Sequence, residues 1–203
     1  MGRRSAHTPD ELRRLILETS RDIIIRDGIA GVTAREIARR IGYSAGTLYN
    51  VFDNIDDLLL CVQTAMLADV AGRMQRVTMG PDAQANVHAL VEVYVAFAVE
   101  NRRLWNLLFA HTLPEDITVP ATFHEPINSI ALSVRTALQG CAGAASNEQI
   151  NIGARALWAG VHGITAIAVS DKGPSMTTDT ATVFAKELAT TYLAGFCHRF
   201  GKS

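Results

Sequence analysis

The chain has little of what builds secreted or membrane proteins. Its 203 residues include only three cysteines, Cys61, Cys141 and Cys197, which lie far apart and in no metal-ligand spacing. Such cysteines indicate reduced thiols in a cytoplasm rather than a disulfide framework. The polar, arginine-bearing N-terminus lacks the apolar segment of a signal peptide. The longest apolar run, 156–169, contains His162 and is too short to span a bilayer, so we expect a soluble cytoplasmic protein with no membrane partner.

Catalytic signatures are also missing from the sequence. It contains no phosphate-binding loop, no dinucleotide-binding glycine motif and no nucleophile elbow. Its six histidines form no pair with metal-ligand spacing backed by a carboxylate. The sequence therefore predicts no cofactor and no metal site, and an enzyme acting on a small molecule is the weakest function left open.

Charge is scarce overall but unevenly placed. The formal net charge of −1 alone argues against a nucleic-acid binder. The first 52 residues, however, carry nine arginines and no lysine against six acidic residues. This excess of positive charge is concentrated where it could meet phosphate. Arg3 and Arg4 lie in a polar arm that could reach a minor groove, although a disordered terminus is the alternative.

Helical periodicity dominates, and no strand-like alternation is sustained, which predicts an all-α protein. Thr8, Pro9 and Glu11 start a first helix that Gly28 ends. Asn54 caps a long helix that runs to about Thr78. The later predicted helices cover 89–99, 102–111, 127–138, 147–169 and 178–200. Ser146 and Gln149 form a capping box at the start of the helix at 147–169. A loop is expected in 114–126 and a turn at 170–175.

Residues 33–52 read as two short helices joined by a tight turn. Thr33 and Glu36 can form a capping box, and Gly42 stands where a left-handed residue is wanted. Ser44 can cap a second helix that runs through Tyr49 to Val51. This pattern predicts a helix-turn-helix, whose second helix enters the DNA major groove.

The same segment resembles the DNA-binding domain of TetR-type bacterial transcriptional regulators. The resemblance rests on T-x-x-x-I-A-x-x-x-G-x-S-x-G-x-x-Y-x-x-F from Thr33 to Phe52 and covers about residues 10–60. Val51 stands where a histidine is frequent, and Ile55 stands where a lysine usually touches phosphate. The resemblance implies a three-helix DNA-binding domain at 1–54 and a larger helical ligand-binding and dimerisation domain at 55–203.

Eight residues are the predicted DNA contacts. Asn50 can bind adenine bidentately, while Ala45 and Thr47 are small or polar enough to approach base edges. Tyr49 matches the family tyrosine that touches phosphate, and Gly46 permits close approach. Backbone contacts that set the register are expected from Thr33, Arg35 and Ser44.

The C-terminal half predicts a pocket for a small apolar or aromatic effector. Trp158, His162 and Gly163 are similar to the signature of the WHG domain found in some TetR-type regulators. A core tryptophan and a buried, hydrogen-bonded histidine explain them equally well. Glu92 lies in an apolar helix, so we expect it to be buried and to orient a ligand or to form a structural hydrogen bond. The predicted ligand-binding residues are Met66, Tyr94, Phe97, Trp105, Phe109, His111, Phe123, Trp158 and His162.

A palindromic double-stranded operator requires two reading heads, which implies a homodimer. The last two helices are the predicted interface, because Ala156, Gly160 and Gly163 would let a partner helix approach. Leu188, Tyr192, Leu193 and Phe196 add an apolar stripe. The resemblance implies a repressor that a ligand releases from its operator. A helical scaffold without sequence-specific DNA binding is the main alternative.

Overall fold

A computed structural model describes residues 7–115, 117–170 and 176–201, and in these ranges the chain is helical without strands. The predicted all-α class is confirmed. Arg3, Arg4 and most of the predicted turn at 170–175 lie outside the described residues. The helices are α1 (Pro9–Asp27), α2 (Ala34–Ile41), α3 (Ala45–Leu48), α4 (Ile55–Gln75), α5 (Ala83–Glu100), α6 (Arg102–Ala110), α7 (Ala121–Gln139), α8 (Asn147–Val169) and α9 (Thr178–Phe200), with a 3₁₀ turn at Ile29–Gly31.

The first three helices enclose a small apolar core. Ile16 and Ile23 of α1 pack with Ile37 of α2 and with Leu48 and Phe52, and all five are almost fully buried. At residues 8–11, α1 begins in the capping box that the sequence predicts. Because its apolar stripe crosses both helices of the helix-turn-helix, α1 completes a three-helix unit. We call this unit the head and the remaining helices the body.

Arg13 fastens this unit to the rest of the chain. Its guanidinium donates to the Val51 carbonyl at 3.2 Å and to Cys61 Sγ of α4 at 3.0 Å. It also lies over the Phe52 ring, 4.4 Å from the centroid. One α1 side chain therefore ties the end of the helix-turn-helix to α4.

The larger body is built from α4 to α9. Helix α4 packs along α7, α5 packs against α9, and α8 lies against both α7 and α9. The cores of the head and the body are continuous through α4, since Leu58, Leu59 and Val62 share one cluster with Ile16 and Leu90. A movement of α4 in the body would therefore also displace the side chains that α4 packs into the core of the head.

Three helices of the larger part of the chain differ from their predicted boundaries, and one of them is α5, which begins at Ala83 rather than at residue 89. Helix α4 ends at Gln75, three residues before the predicted Thr78. Helix α7 begins at Ala121 rather than Ile127 and contains Pro126 near its start. Proline removes one backbone donor and disfavours a helical residue before it, so Pro126, the sixth residue of α7, leaves the Thr122 carbonyl without its usual i→i−4 partner, and burial of the ring offsets part of this cost. The predicted loop in 114–126 is correspondingly shorter.

Helix α8 has the predicted extent, Asn147–Val169. By length and composition alone it could cross a bilayer, but a core helix of a soluble protein has the same features. The rest of the chain buries 39% of its most apolar window. The helix is therefore partly covered by the protein and carries apolar surface outward.

Candidate DNA-binding face and effector region

The turn between α2 and α3 has the geometry that the sequence predicts. Gly42 adopts a left-handed conformation with φ 74° and ψ 28°, and its amide donates to the Ala38 carbonyl. Ser44 then caps α3 by accepting from the Thr47 amide at 3.3 Å. The two hydroxyl groups of Ser44 and Thr47 also share a hydrogen bond of 2.9 Å. This contact fixes the Thr47 hydroxyl on the exposed start of α3.

The second helix is shorter than predicted. It covers Ala45–Leu48, and residues 49–51 form a turn closed by a bond from the Phe52 amide to the Leu48 carbonyl. Leu48 and Phe52 point into the core, which turns Tyr49 outward so that it is 53% exposed. The eight predicted DNA contacts are all exposed or half-exposed: Thr33, Arg35, Ser44, Ala45, Gly46, Thr47, Tyr49 and Asn50.

The predicted capping box at the start of α2 is only half formed. The Thr33 hydroxyl accepts from the Glu36 amide at 3.2 Å. The Glu36 carboxylate does not reach back but binds Arg39 and Arg40, at 2.8 and 2.6 Å. Hydrogen bonds from these two arginines lower the pKa of Glu36 to about 2. The ion pairs compete successfully with the cap, because charge-assisted bonds are stronger than neutral ones.

These ion pairs divide the arginines of the head into those paired with carboxylates and those without such a partner. Arg40 also binds Asp27 at 2.8 Å, so Arg39 and Arg40 are neutralised within the protein. Arg35 has no carboxylate partner among the described residues. Its charge is therefore available to phosphate. Ile55, which replaces the usual lysine, packs against the core instead.

An aromatic cluster surrounds His162 in the larger body. The rings of Tyr94, Trp105, Phe109 and Trp158 all lie 5.3–6.2 Å from the His162 ring. Trp158 Nε1 donates to the Tyr94 hydroxyl at 3.1 Å, and the hydroxyl and His162 Nδ1 share a hydrogen bond of 2.7 Å. Because the hydroxyl oxygen already accepts from Trp158, we assign the hydroxyl proton to the second bond, so Nδ1 accepts and the neutral ring carries its proton on Nε2. Burial lowers the pKa of His162, which favours this neutral form.

The cluster lies beside a small apolar cavity. Tyr94 and Trp158 line it together with Leu90, Val134 and Leu157, and its volume is about 20 Å³. This space is close to that of one water molecule. Trp105 is completely buried, and its Nε1 donor finds no acceptor among the described protein atoms. A larger molecule could enter only if neighbouring side chains moved.

The other predicted pocket residues lie in different surroundings. Phe97 joins the cluster only through Trp105, at a ring distance of 6.1 Å. Met66 is buried on α4 and lines a groove against α1, and Phe123 packs edge-on against His124. The nine residues therefore do not line one common cavity.

Two polar candidates have other partners. The His111 ring donates from Nε2 to Asp56 at 2.9 Å and accepts at Nδ1 from the Gln63 amide at 2.8 Å. Both ring nitrogens are thus used on α4. The expectation of a buried Glu92 is wrong, because its side chain is 57% exposed and pairs with Lys186 of α9.

Sequence reasoning missed Asp56 and Gln63 as partners of His111. They are 55 and 48 residues away along the chain, and no local spacing connects them. Arg103 of α6 was also missed. It donates to the carbonyl groups of Ile25 and Arg26, at the C-terminal end of α1.

Apolar surface remains on the last two helices. Ile152 and Ile167 of α8 and Val183 and Phe184 of α9 are 50–61% exposed. The predicted interface residues only partly belong to this surface. Leu193 and Phe196 are buried in the core. Gly160 faces α9 of its own chain, because an added Cβ would lie 2.7 Å from Leu188 Cδ2. Gly163 has open space instead.

An exposed helix-turn-helix on a larger all-α body is typical of helix-turn-helix transcription regulators. Residues 16–62 match the family described as bacterial regulatory proteins, tetR family. Residues 87–191, more than half of the chain, match the family described as tetracyclin repressor-like, C-terminal domain. The chain therefore belongs to the TetR family of bacterial transcriptional regulators, which are not enzymes. The finer likeness of Trp158, His162 and Gly163 to a WHG domain stays a prediction.

Relatives of known sequence or structure agree with this assignment. HTH-type transcriptional regulator Rv1816 of Mycobacterium tuberculosis is 26% identical over 108 residues, which are 52% of this chain and 46% of that protein. The chain thus matches about half the length of this curated relative.

Solved structures show the same fold over nearly the whole chain. BioQ, solved with its natural double-stranded DNA operator, has a TM-score of 0.64 at 20% identity over 94% of this chain and 99% of that chain. Thermus thermophilus FadR, a repressor solved with lauroyl-CoA, has a TM-score of 0.67 at 17% identity over 90% and 94%.

Proposed function

We propose that this chain is a dimeric, ligand-responsive repressor that binds a palindromic DNA operator in the cytoplasm. The observation that carries the proposal is the start of α3, where Thr47, Tyr49 and Asn50 stand on the surface above a buried anchor of Leu48 and Phe52. A rigid, exposed helix start of this kind can enter a major groove. The operator complex of BioQ supports the same use of the fold.

Contacts in the head divide into two kinds. Tyr49 and Arg35 are suited to phosphate, since one is an exposed hydroxyl and the other an unpaired cation. Thr33 and Ser44 are the N-cap residues of α2 and α3, and both are exposed, so their own backbone groups lie at the surface where phosphate could bind. Asn50, whose amide can pair with adenine, is the residue proposed to read sequence.

Selection of the full-length protein on random DNA, followed by binding titrations at several salt concentrations, tests DNA recognition. A palindromic consensus is expected. Arg35→Ala should weaken binding to all sequences and reduce the salt slope by about one. Asn50→Ala should also relax preference at one base position. Arg76→Ala, an exposed arginine at the end of α4, is the matched control and should change neither property. Binding that is independent of salt would contradict the proposal.

The effector is proposed to bind at the aromatic cluster. The cavity is apolar, and the unpaired donor of Trp105, which packs against the cavity residue Tyr94 outside the cavity wall, could bond an acceptor on a small aromatic or apolar ligand once side chains move. Such a ligand must displace side chains between α5, α6 and α8. It can release DNA only if it binds the displaced arrangement more tightly. The repressor FadR, solved with lauroyl-CoA, supports effector binding on this fold.

Ligand screening by tryptophan fluorescence tests the effector site. Binding at the cluster should quench Trp105 and Trp158, and it should release operator DNA over the same concentrations. Trp158→Phe should weaken the response while keeping most of the packing. An unchanged response in this variant would place the effector elsewhere.

The dimer is proposed to form through the exposed faces of α8 and α9. Ile152, Ile167, Val183 and Phe184 supply apolar surface that a monomer leaves in water. Two such helices from each chain would make a four-helix bundle. Phe184→Arg should give monomers in sedimentation and lose operator binding, whereas Gln75→Arg, at an exposed position of α4 outside this surface, should leave assembly unchanged. The corresponding domains are 1–54 for DNA and 55–203 for ligand and partner.

A further inference from the structure

A groove on the outer face of α7 and α8 shares no lining residue with the cavity beside Tyr94. It encloses about 200 Å³. Its walls are formed by Asn128, Leu132 and Arg135 of α7 and by Asn151, Ala154 and Arg155 of α8. The lining therefore contains two cations and two amides but no carboxylate.

The two arginines are held in place without being neutralised. Arg135 donates from Nη2 to the Asn147 amide oxygen at 2.8 Å. Arg155 donates to the Asn128 amide oxygen at 3.5 Å. Within the described part of the chain, neither guanidinium forms an ion pair with a carboxylate. Their positive charges remain available to a ligand.

Arg135 also carries an unused donor. Its Nε atom is buried and has no acceptor among the described residues. A buried donor without a partner is unfavourable, and an anion bound to Arg135 would satisfy it after a small shift of the guanidinium that keeps the Asn147 contact. This observation is independent of the shape of the groove.

The spacing of the charges limits the ligand. The Arg155–Asn128 contact marks one end of the groove, and the Arg135–Asn147 contact marks the other. Positions 128 and 135 are two helical turns apart, about 10.5 Å along α7. Leu132, which is 55% exposed, and Ala154 provide apolar surface between the two ends. The groove thus presents a cation at each end of a short apolar stretch.

We propose that this groove binds a small organic dianion, a linear dicarboxylate of about four to six carbons, with one carboxylate on each arginine. Guanidinium groups match carboxylates in a two-donor geometry, and the apolar stretch accommodates the methylene chain. Arg135 and Arg155 give the site its charge, and Asn128 and Asn147 orient them. The site shares no lining residue with the cavity of the aromatic cluster, and none of its residues lies on the DNA-binding face.

Isothermal titration of the full-length protein with succinate, glutarate and adipate tests this site without DNA. At least one should bind saturably, and butyrate, which has a single carboxylate, should bind about tenfold or more weakly. Arg135→Gln and Arg155→Gln should each weaken binding about tenfold or more. Arg76→Gln, an exposed arginine outside the groove, should leave it unchanged.

A second variant guards against misfolding as the explanation. Asn151→Asp keeps the side-chain shape but places a carboxylate in the groove, so it should abolish binding while circular dichroism and melting stay close to wild type. Four results would overturn the proposal. They are no saturable binding up to about 10 mM, equal binding by Arg135→Gln, equally tight binding of inorganic phosphate, or variants that change sedimentation but not titration. The last would mean that a second copy of the chain fills the groove.

Discussion

Removal of the Tyr94 hydroxyl tests whether the hydrogen bonds among Trp158, Tyr94 and His162 stabilise the fold. Tyr94→Phe keeps the ring of a side chain that is only 1% exposed. It removes the acceptor of the Trp158 Nε1 bond, at 3.1 Å, and the donor to His162 Nδ1, at 2.7 Å. Two polar atoms lose their partner at once, and the apolar surroundings offer no replacement.

The expected loss follows from the burial of these two atoms. A polar group left unsatisfied in the interior costs about 1–3 kcal/mol. Trp158 and His162 are only partly buried, so water can reach them in part and the lower end of the range applies to each. We expect Tyr94→Phe to reduce the free energy of unfolding by about 2 kcal/mol. For a chain of this length, this corresponds to a melting temperature about 4–8 °C lower.

Urea unfolding monitored by circular dichroism and tryptophan fluorescence measures this loss. Tyr49→Phe removes an exposed hydroxyl and is the matched control, expected within about 0.5 kcal/mol of wild type. A double-mutant cycle with His162→Phe should give a coupling free energy of about 1 kcal/mol. If Tyr94→Phe lies as close to wild type as the control, or if the coupling is absent, the hydrogen-bond chain does not stabilise the fold.

Three further predictions concern pH and glycine positions. Because burial lowers the pKa of His162, the contribution of this residue to the free energy of unfolding should be constant above about pH 6.5. It should fall at lower pH, by at most about 1.4 kcal/mol at pH 5.5. His162→Gln should remove this part of the pH dependence of urea unfolding. Gly153→Ala should cost about 1–3 kcal/mol, since its Cβ would lie 2.6 Å from the Phe196 ring, whereas Gly163→Ala, with open space, should not destabilise the isolated fold in thermal melts. Gly42→Ala should lower the melting temperature through about 1–2 kcal/mol of left-handed strain and weaken operator binding.

Local capping signals predicted the starts of α1 and α8 well, whereas α5 and α7 each begin six residues before the predicted position. Thr8 with Glu11 and Ser146 with Gln149 form complete capping boxes, because each needs only residues three apart on the chain. The first box was recognisable from Thr8, Pro9 and Glu11 together. The predicted box at Thr33 failed for a reason that spacing also contains. Arg39 and Arg40 stand one turn after Glu36 and capture its carboxylate.

Long-range placement could not be read from the sequence. The periodicity marked the Gly160 side of α8 as suitable for close helix approach, but not whether that helix belongs to the same chain. Glu92 sits in an apolar helix, yet the turn of that helix directs it to Lys186 of α9. His111 follows an aromatic segment and resembled a pocket residue, whereas its partners come from α4. Each of these outcomes depends on how helices face one another.

Helix α6 connects the aromatic cluster to the reading head at both of its ends. Near its start, Arg103 donates to the last carbonyl groups of α1, and after its end His111 binds Asp56 in the first turn of α4. Between these contacts, Trp105 and Phe109 lie against His162. A molecule that enters the cluster must displace side chains of α6, and any movement of the helix that follows would change the contacts at its ends. Because α1 is part of the head and α4 joins the head to the body, unequal changes at the two ends of α6 would rotate the head as well as shift it.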